Sequence, residues 1–183
     1  MELFVQLIIG LSWPIATVWI VYLLKGELQN LLRRLSNLKY KDIEAKFEHG
    51  LTKAEAQIIT IEKTSPKSVT FNPEVNSVLE QLRRIAQASP RAAIMEAWIL
   101  IESAAGKSGF VQGAAIPRIN APLFADWLVK NEKLPQGSVE LIMELRKLRN
   151  QAAHIPDFAL TYEEADRYLQ LAAKLSNLIL SPI

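Results

Sequence analysis

The sequence has no cysteine and only two histidines, His49 and His154. The absence of cysteine excludes disulfide scaffolds, zinc ribbons and cysteine nucleophiles. No metal-ligand motif is found, so we expect neither a bound metal nor a cofactor. A large excess of charge of one sign is also missing, because the formal net charge is only +2 at pH 7. Nucleic acid would therefore have to be bound by a local basic patch.

Strand-like patterns are missing as well, because no stretch alternates convincingly between apolar and polar residues. Apolar residues instead recur at spacings of three and four, which is typical of amphipathic helices. A chain of 183 residues has room for one compact domain and a connecting arm. The sequence thus predicts an all-α fold that ends in a bundle of four or five helices.

Charge is missing from the beginning of the chain, where Phe4 to Leu24 contains no charged residue. A helix over these residues would cover roughly the 30 Å hydrocarbon core of a bilayer, so we predict a transmembrane anchor at residues 1–25. Lysine and arginine outnumber acidic residues directly after it, which predicts an outside N-terminus and a cytoplasmic remainder. The alternative is a buried helix of a soluble protein.

Residues 26–63 are predicted to form a helical arm next to the membrane. A stripe of leucines from Leu28 to Leu38 lies opposite basic residues, and it would lie on lipid headgroups or pair with its copy in a dimer. The rest of the arm is predicted to be helical with an interruption near Gly50. Residues 64–71 are polar and contain a proline, which indicates a linker before a domain at 72–183.

Helix start signals divide this last domain. They are Asn72-Pro73, Ser89-Pro90, Pro122, Ser138 and a capping box formed by Thr161 and Glu164. The helix that starts at Ser138 is ended by Pro156.

This helix carries the main candidate functional residues. Arg149 projects from an apolar face, where a guanidinium is costly unless it meets an acid, a phosphate or a water-filled cleft. Arg146, Asn150 and His154 follow Met143 along the adjoining flank at helical spacing. Arginine, asparagine and histidine thus converge on one end of one helix.

The run 148–154 (LRNQAAH) resembles the signature of the HEPN superfamily, in which an arginine and a polar residue are followed after a few positions by a histidine. Residues 90–97, Glu102 and residues 161–165 are similar to an uncharacterised bacterial branch of that superfamily. The likeness covers about Asn72 to Leu180 and none of the anchor or arm. It implies a small helical bundle that forms a homodimer, in which two Arg–His helix ends meet. Many members cut RNA without a metal ion.

The resemblance also implies roles for individual residues. A histidine changes its protonation near neutral pH, so His154 would move a proton to or from a ribose hydroxyl. Arg149 would stabilise charge on the phosphate, Asn150 would orient the phosphate or the imidazole, and Glu102 would hold Arg149 through an ion pair. The further binding residues would be Arg146, Lys147 and Arg91.

We therefore expect a metal-independent endoribonuclease in the bacterial inner membrane, with RNA as its substrate and a second copy as its partner. By family analogy alone, it would act as a toxin or phage-defence effector. The alternative is a non-catalytic, membrane-tethered module that binds a protein or a nucleotide. In that case Arg149 would pair with Glu102 in a structural network, and His154 would only complement the helix dipole.

Overall fold

The fold is taken from a computed structural model. It describes residues 2–64, 72–110, 120–131, 134, 137–155 and 159–181, without the side chains of residues 2–12, 15–16, 27–42 and 64. The predicted linker at 64–71 lies outside the described residues except for Thr64. In the described part of the chain every regular element is an α-helix, so the all-α prediction is confirmed.

Six helices are present in the described residues. They are α1 (Glu2–Thr64), α2 (Pro73–Ala88), α3 (Pro90–Lys107), α4 (Ala121–Lys130), α5 (Ser138–His154) and α6 (Tyr162–Leu180).

Three of the predicted helix starts are confirmed by their caps. The Asn72 side chain accepts a hydrogen bond from the backbone of α2, and the Ser89 side chain accepts one from the backbone of α3. At α6, the Thr161 backbone N–H donates to Glu164 Oε2 over 2.8 Å, and the Glu164 N–H donates to Thr161 Oγ1 over 3.2 Å. These local bonds satisfy donors that a helix start leaves without partners.

The N-terminal helix α1 corrects the prediction of a transmembrane anchor at residues 1–25. It is one continuous helix of 63 residues. Among the residues that the structure describes, no helix combines the length and the apolar character needed to cross a bilayer. The prediction counted only uncharged residues, whereas the hydropathy of a span depends on every side chain.

The chain divides into two compact units, Met1–Asp42 and Ile43–Ile183. The first unit consists of the N-terminal part of α1. Its described side chains are exposed, and they include Trp13, Trp19 and Tyr22. The leucine stripe predicted between Leu28 and Leu38 lies outside the described side chains.

The second unit has one core, and the C-terminal part of α1 belongs to it. The buried side chains that α1 contributes are Phe47, Leu51, Ala54, Ile58 and Ile61. They recur at spacings of three and four, so they form one face of the helix. The segment that the sequence analysis assigns to an arm therefore supplies a core helix from Ile43 onward.

Gly50 explains how closely α1 packs against α5. The predicted interruption at this glycine is wrong, because α1 passes through it without a break. A Cβ atom at this position would lie 2.8 Å from Leu148 Cδ2 and 3.1 Å from Glu144 Oε1. A side chain at this position would force Leu148 to shift, so the glycine permits close helix contact and is not a helix breaker.

Ion pairs hold α1 to α6 at the edge of this core. Arg167 on α6 donates to Glu55 Oε1 over 2.7 Å and to Glu48 Oε1 over 2.6 Å. The hydrogen bond from Arg167 holds the pKa of Glu55 below its usual value. Farther along, Lys174 lies 3.2 Å from Glu62.

We predict that Gly50→Val destabilises the protein. Overpacking a core costs about 1–3 kcal/mol, and the fully buried Leu148 would have to shift to make room. Urea unfolding of the full chain measures this loss. Gly106→Val is the control, because nothing lies within 4 Å of the corresponding position in α3. Equal stability of both variants would contradict the close contact.

We predict that Arg167→Met lowers the free energy of unfolding at pH 7 by about 1 kcal/mol, the upper range for partly exposed ion pairs. Because the pKa of Glu55 is depressed in the folded state, the stabilisation is present above the unfolded carboxyl value of about 4.3. It is lost as the pH falls through the lower, folded value. The difference in the free energy of unfolding between Arg167→Met and the wild type should therefore shrink as the pH falls from 7 to 3. Exposed Arg84, changed to Met, is the control.

Candidate functional site

The candidate site lies on α5, whose orientation is set by its apolar face. The fully buried side chains of this face are Leu141, Ile142, Leu145, Leu148 and Ala152. This confirms the predicted core face of the helix. Because one side of α5 is packed in the core, the opposite flank is directed outward.

An open groove of about 380 Å³ runs along this outward flank. It is lined by Met143, Arg146, Lys147, Asn150, Gln151, His154 and Ile155. At 1.5 Å per residue, the distance along the helix from Met143 to His154 is about 16 Å. The groove brings together the four residues that helical spacing placed on one flank, and it adds Gln151 and Ile155, which the sequence analysis missed. Spacings of four from Lys147 and Gln151 would have found both.

The groove carries positive charge. No acidic partner of the half-buried Arg146 is found among the described residues. Lys147 lies 3.2 Å from Glu144, but the same carboxylate is also 3.2 Å from Lys53 on α1. Burial would raise the pKa of Glu144, but hydrogen bonds from the two lysines outweigh burial and hold it below its usual value. One negative charge therefore faces two lysines, and the positive charge of Arg146 remains.

His154 and Asn150 lie at the C-terminal end of the groove. His154 is the last residue of α5 and its side chain is exposed, so its imidazole is accessible to a ligand. Asn150 lies about one turn earlier and is half-buried. An imidazole, an amide and a guanidinium on one open flank suit an anion with several oxygen atoms, such as a phosphate.

Arg149 does not line the groove. Its Nη1 donates to Asn150 Oδ1 over 3.2 Å, and its Nε is buried without a partner among the described residues. Burial raises the pKa of Tyr168 on α6, and the positive charge of Arg149 partly opposes that rise, so this guanidinium lies near α6. Since Arg149 occupies the amide oxygen of Asn150, the amide N–H groups are left to donate into the groove.

Glu102 is engaged by a different partner from the expected one. It accepts a hydrogen bond from Trp98 Nε1 over 2.8 Å, within α3. In the described part of the chain no ion pair joins Glu102 to Arg149. The two residues lie on different helices, and sequence spacing alone does not reveal whether their side chains meet.

Arg91 also lies away from the groove lining. Its Nη1 donates to the carbonyl oxygens of Ala152 and Ile155, the latter over 2.7 Å, at the end of α5. Of the seven predicted site residues, the groove therefore unites Arg146, Lys147, Asn150 and His154. Arg149 and Arg91 do not line the groove, but each donates a hydrogen bond to a residue that does, Asn150 and Ile155 respectively. Glu102 lies on α3 and bonds to Trp98.

We predict that inorganic phosphate shifts the imidazole NMR signals of His154 and leaves those of His49 unchanged. The chain has only these two histidines, so His49→Gln assigns the signals. Arg146→Met should weaken the shift, because it removes the fork that binds phosphate oxygens. Equal shifts of both histidines would indicate unspecific ion binding and contradict a site in the groove.

Comparison of the chain with family models, with curated proteins and with solved structures yields no match. The case for a function therefore depends on the groove and on the residues of the 148–154 motif that line it, Asn150, Gln151 and His154.

Proposed function

We propose that this protein is an endoribonuclease that binds RNA in the groove on α5 and cleaves it without a metal ion. The observation that carries the proposal is that Arg146, Asn150 and His154 share one open groove. These residues supply a phosphate ligand, an orienting donor and a group that transfers protons near neutral pH. The RNA backbone presents a phosphate beside a ribose hydroxyl, which matches this set.

The reaction is an attack of the ribose 2′-oxygen on the adjacent phosphorus. A base accepts the proton of the 2′-hydroxyl, the bond from phosphorus to the 5′-oxygen breaks, and an acid donates a proton to that leaving oxygen. A single imidazole performs one of these transfers at a time. We therefore propose a homodimer in which His154 of one copy is the base and His154 of the other is the acid.

Charge on the phosphate grows during the attack, and Arg146 is the residue that we assign to stabilise it. Its guanidinium lies in the groove with His154, and its planar fork suits two phosphate oxygens. This differs from the resemblance, which gives that role to Arg149. Arg149 instead acts through Asn150, whose oxygen it binds.

The second candidate is a non-catalytic module that binds RNA or a nucleotide through its phosphate. It is favoured by the position of Arg149, which lies outside the groove lining. An arginine that only supports Asn150 is compatible with binding as well as with catalysis. Both candidate functions therefore require phosphate binding in the groove, and they differ in whether bound RNA is cleaved.

The decisive experiment uses the full chain with total RNA in EDTA. A fragment that starts at residue 64 would lose the buried side chains of α1, so the full chain is required. We expect cleavage by the wild type, a loss of about 10²- to 10⁴-fold in His154→Ala, and a loss of about 10²-fold in Arg146→Met. Arg84→Met, a change of an exposed arginine on α2, should cleave normally.

The outcomes separate the candidates. RNA that is bound but stays intact supports the non-catalytic module, whereas absence of both binding and cleavage contradicts both candidates. A greater loss of phosphate binding in Arg149→Met than in Arg146→Met would overturn the assignment of the phosphate ligand. If the protein acts as a toxin, overexpression should arrest growth and His154→Ala should relieve the arrest.

A further inference from the structure

We infer that Arg91 caps the C-terminal end of α5 and is the residue that positions His154. The structural part of this inference concerns the fold, and its catalytic consequence rests on the proposed function. It assigns Arg91 a role different from that of a phosphate ligand.

The end of α5 lacks a hydrogen-bond donor because of its sequence. In an α-helix each carbonyl accepts from the N–H four residues later. The carbonyl of Gln151 accepts from Ile155 N–H over 3.2 Å. The next carbonyl, that of Ala152, would need the N–H of residue 156, but residue 156 is a proline and has none.

Arg91 supplies the missing donor. Its Nη1 donates both to the Ala152 oxygen in the last turn and to the Ile155 oxygen, over 2.7 Å, in the first extended residue. Ile155 has a φ of −110° and a ψ of 94°, so the chain leaves the helix there. The Arg91 Nη1 atom thus joins the last turn of α5 to the extended chain that follows. In the sequence, His154 lies between the two residues that accept these bonds, Ala152 and Ile155.

The location of Arg91 is unfavourable with respect to the dipole of its own helix. It lies in the first turn of α3, which contains no acidic residue. Positive charge is unfavourable at a helix N-terminus and favourable at a helix C-terminus. Arg91 therefore stabilises the end of α5 at some expense to the start of α3. Its contacts with α5, and not its place in α3, explain why an arginine stands at this position.

Holding this turn sets the direction in which the imidazole leaves the backbone. Without Arg91, the Ala152 carbonyl has neither its helical donor nor its side-chain donor, and we expect the turn to open more often. His154 would then spend less time at the correct distance from a ribose hydroxyl. Arg91 is thus a positioning residue, because it acts through the backbone of its neighbour.

The test compares Arg91→Met with Arg91→Lys in the full chain. Arg83→Met is the matched control, because Arg83 also joins two helices, but its bonds go to Asp166 on α6, over 2.8 Å, and to Glu80 on α2 and not to the end of α5. Thermal unfolding first establishes the stability of each variant. Hydrogen exchange at the amide of Ile155 then measures opening of the turn, and RNA cleavage measures kcat and KM separately.

For Arg91→Met we expect faster exchange at Ile155, together with a fall in kcat of about 10- to 100-fold and little change in KM. Arg91→Lys keeps the charge and one bond, so it should recover part of kcat. Arg83→Met should lower the unfolding temperature without changing kcat or exchange at Ile155. A merely stabilising role for Arg91 would make both arginine variants behave alike, which would overturn the inference.

The two proposals fail in different ways. If the wild type does not cleave RNA, the proposed function fails, and exchange at Ile155 still decides whether Arg91 holds the turn. If the wild type cleaves RNA and Arg91→Met leaves both kcat and exchange at Ile155 unchanged, the inference about Arg91 is wrong and the proposed function stands.

Discussion

The burial of one face of α5 is the constraint on which the rest of this structure depends. Each fully buried leucine or isoleucine contributes about 1.5–3 kcal/mol, so the rotation of α5 about its axis is strongly determined. Gly50 lets α1 approach this helix closely, and a larger residue would collide with Leu148. With that rotation set, Arg146, Asn150 and His154 are directed outward together. The groove is a consequence of core packing.

Charges at the edge of the core serve both packing and the groove. Glu144 is nearly buried, yet it stays ionised because Lys53 and Lys147 donate to it from two helices. Removing both lysines would leave the charge of this carboxylate without compensation in a poorly solvated place. The same contacts bring an extra positive charge to the groove. A structural ion pair between α1 and α5 thereby shapes the electrostatic environment of the candidate site.

Much of the fold could be predicted from the sequence where the cause is local. The starts of α2, α3 and α6 depend on cap residues such as Asn72 and Thr161, which bond to a backbone within a few positions. The N-terminal helix was harder. Its long uncharged run resembles a membrane span, and charged residues around Phe47 and Leu51 conceal its core-forming face. Only packing against other helices shows that this face is buried.

The sequence by itself determined which residues share a face of α5, because the helical period places residues three and four apart on one side. That was sufficient to bring Arg146, Asn150 and His154 together. Only the tertiary structure decided what Arg149, Glu102 and Arg91 contact. Partners on other helices depend on how the helices pack, and the distance between residues along the chain carries no such information. For this reason, the donor for the carbonyl left without a partner by Pro156 is found in three dimensions, on α3.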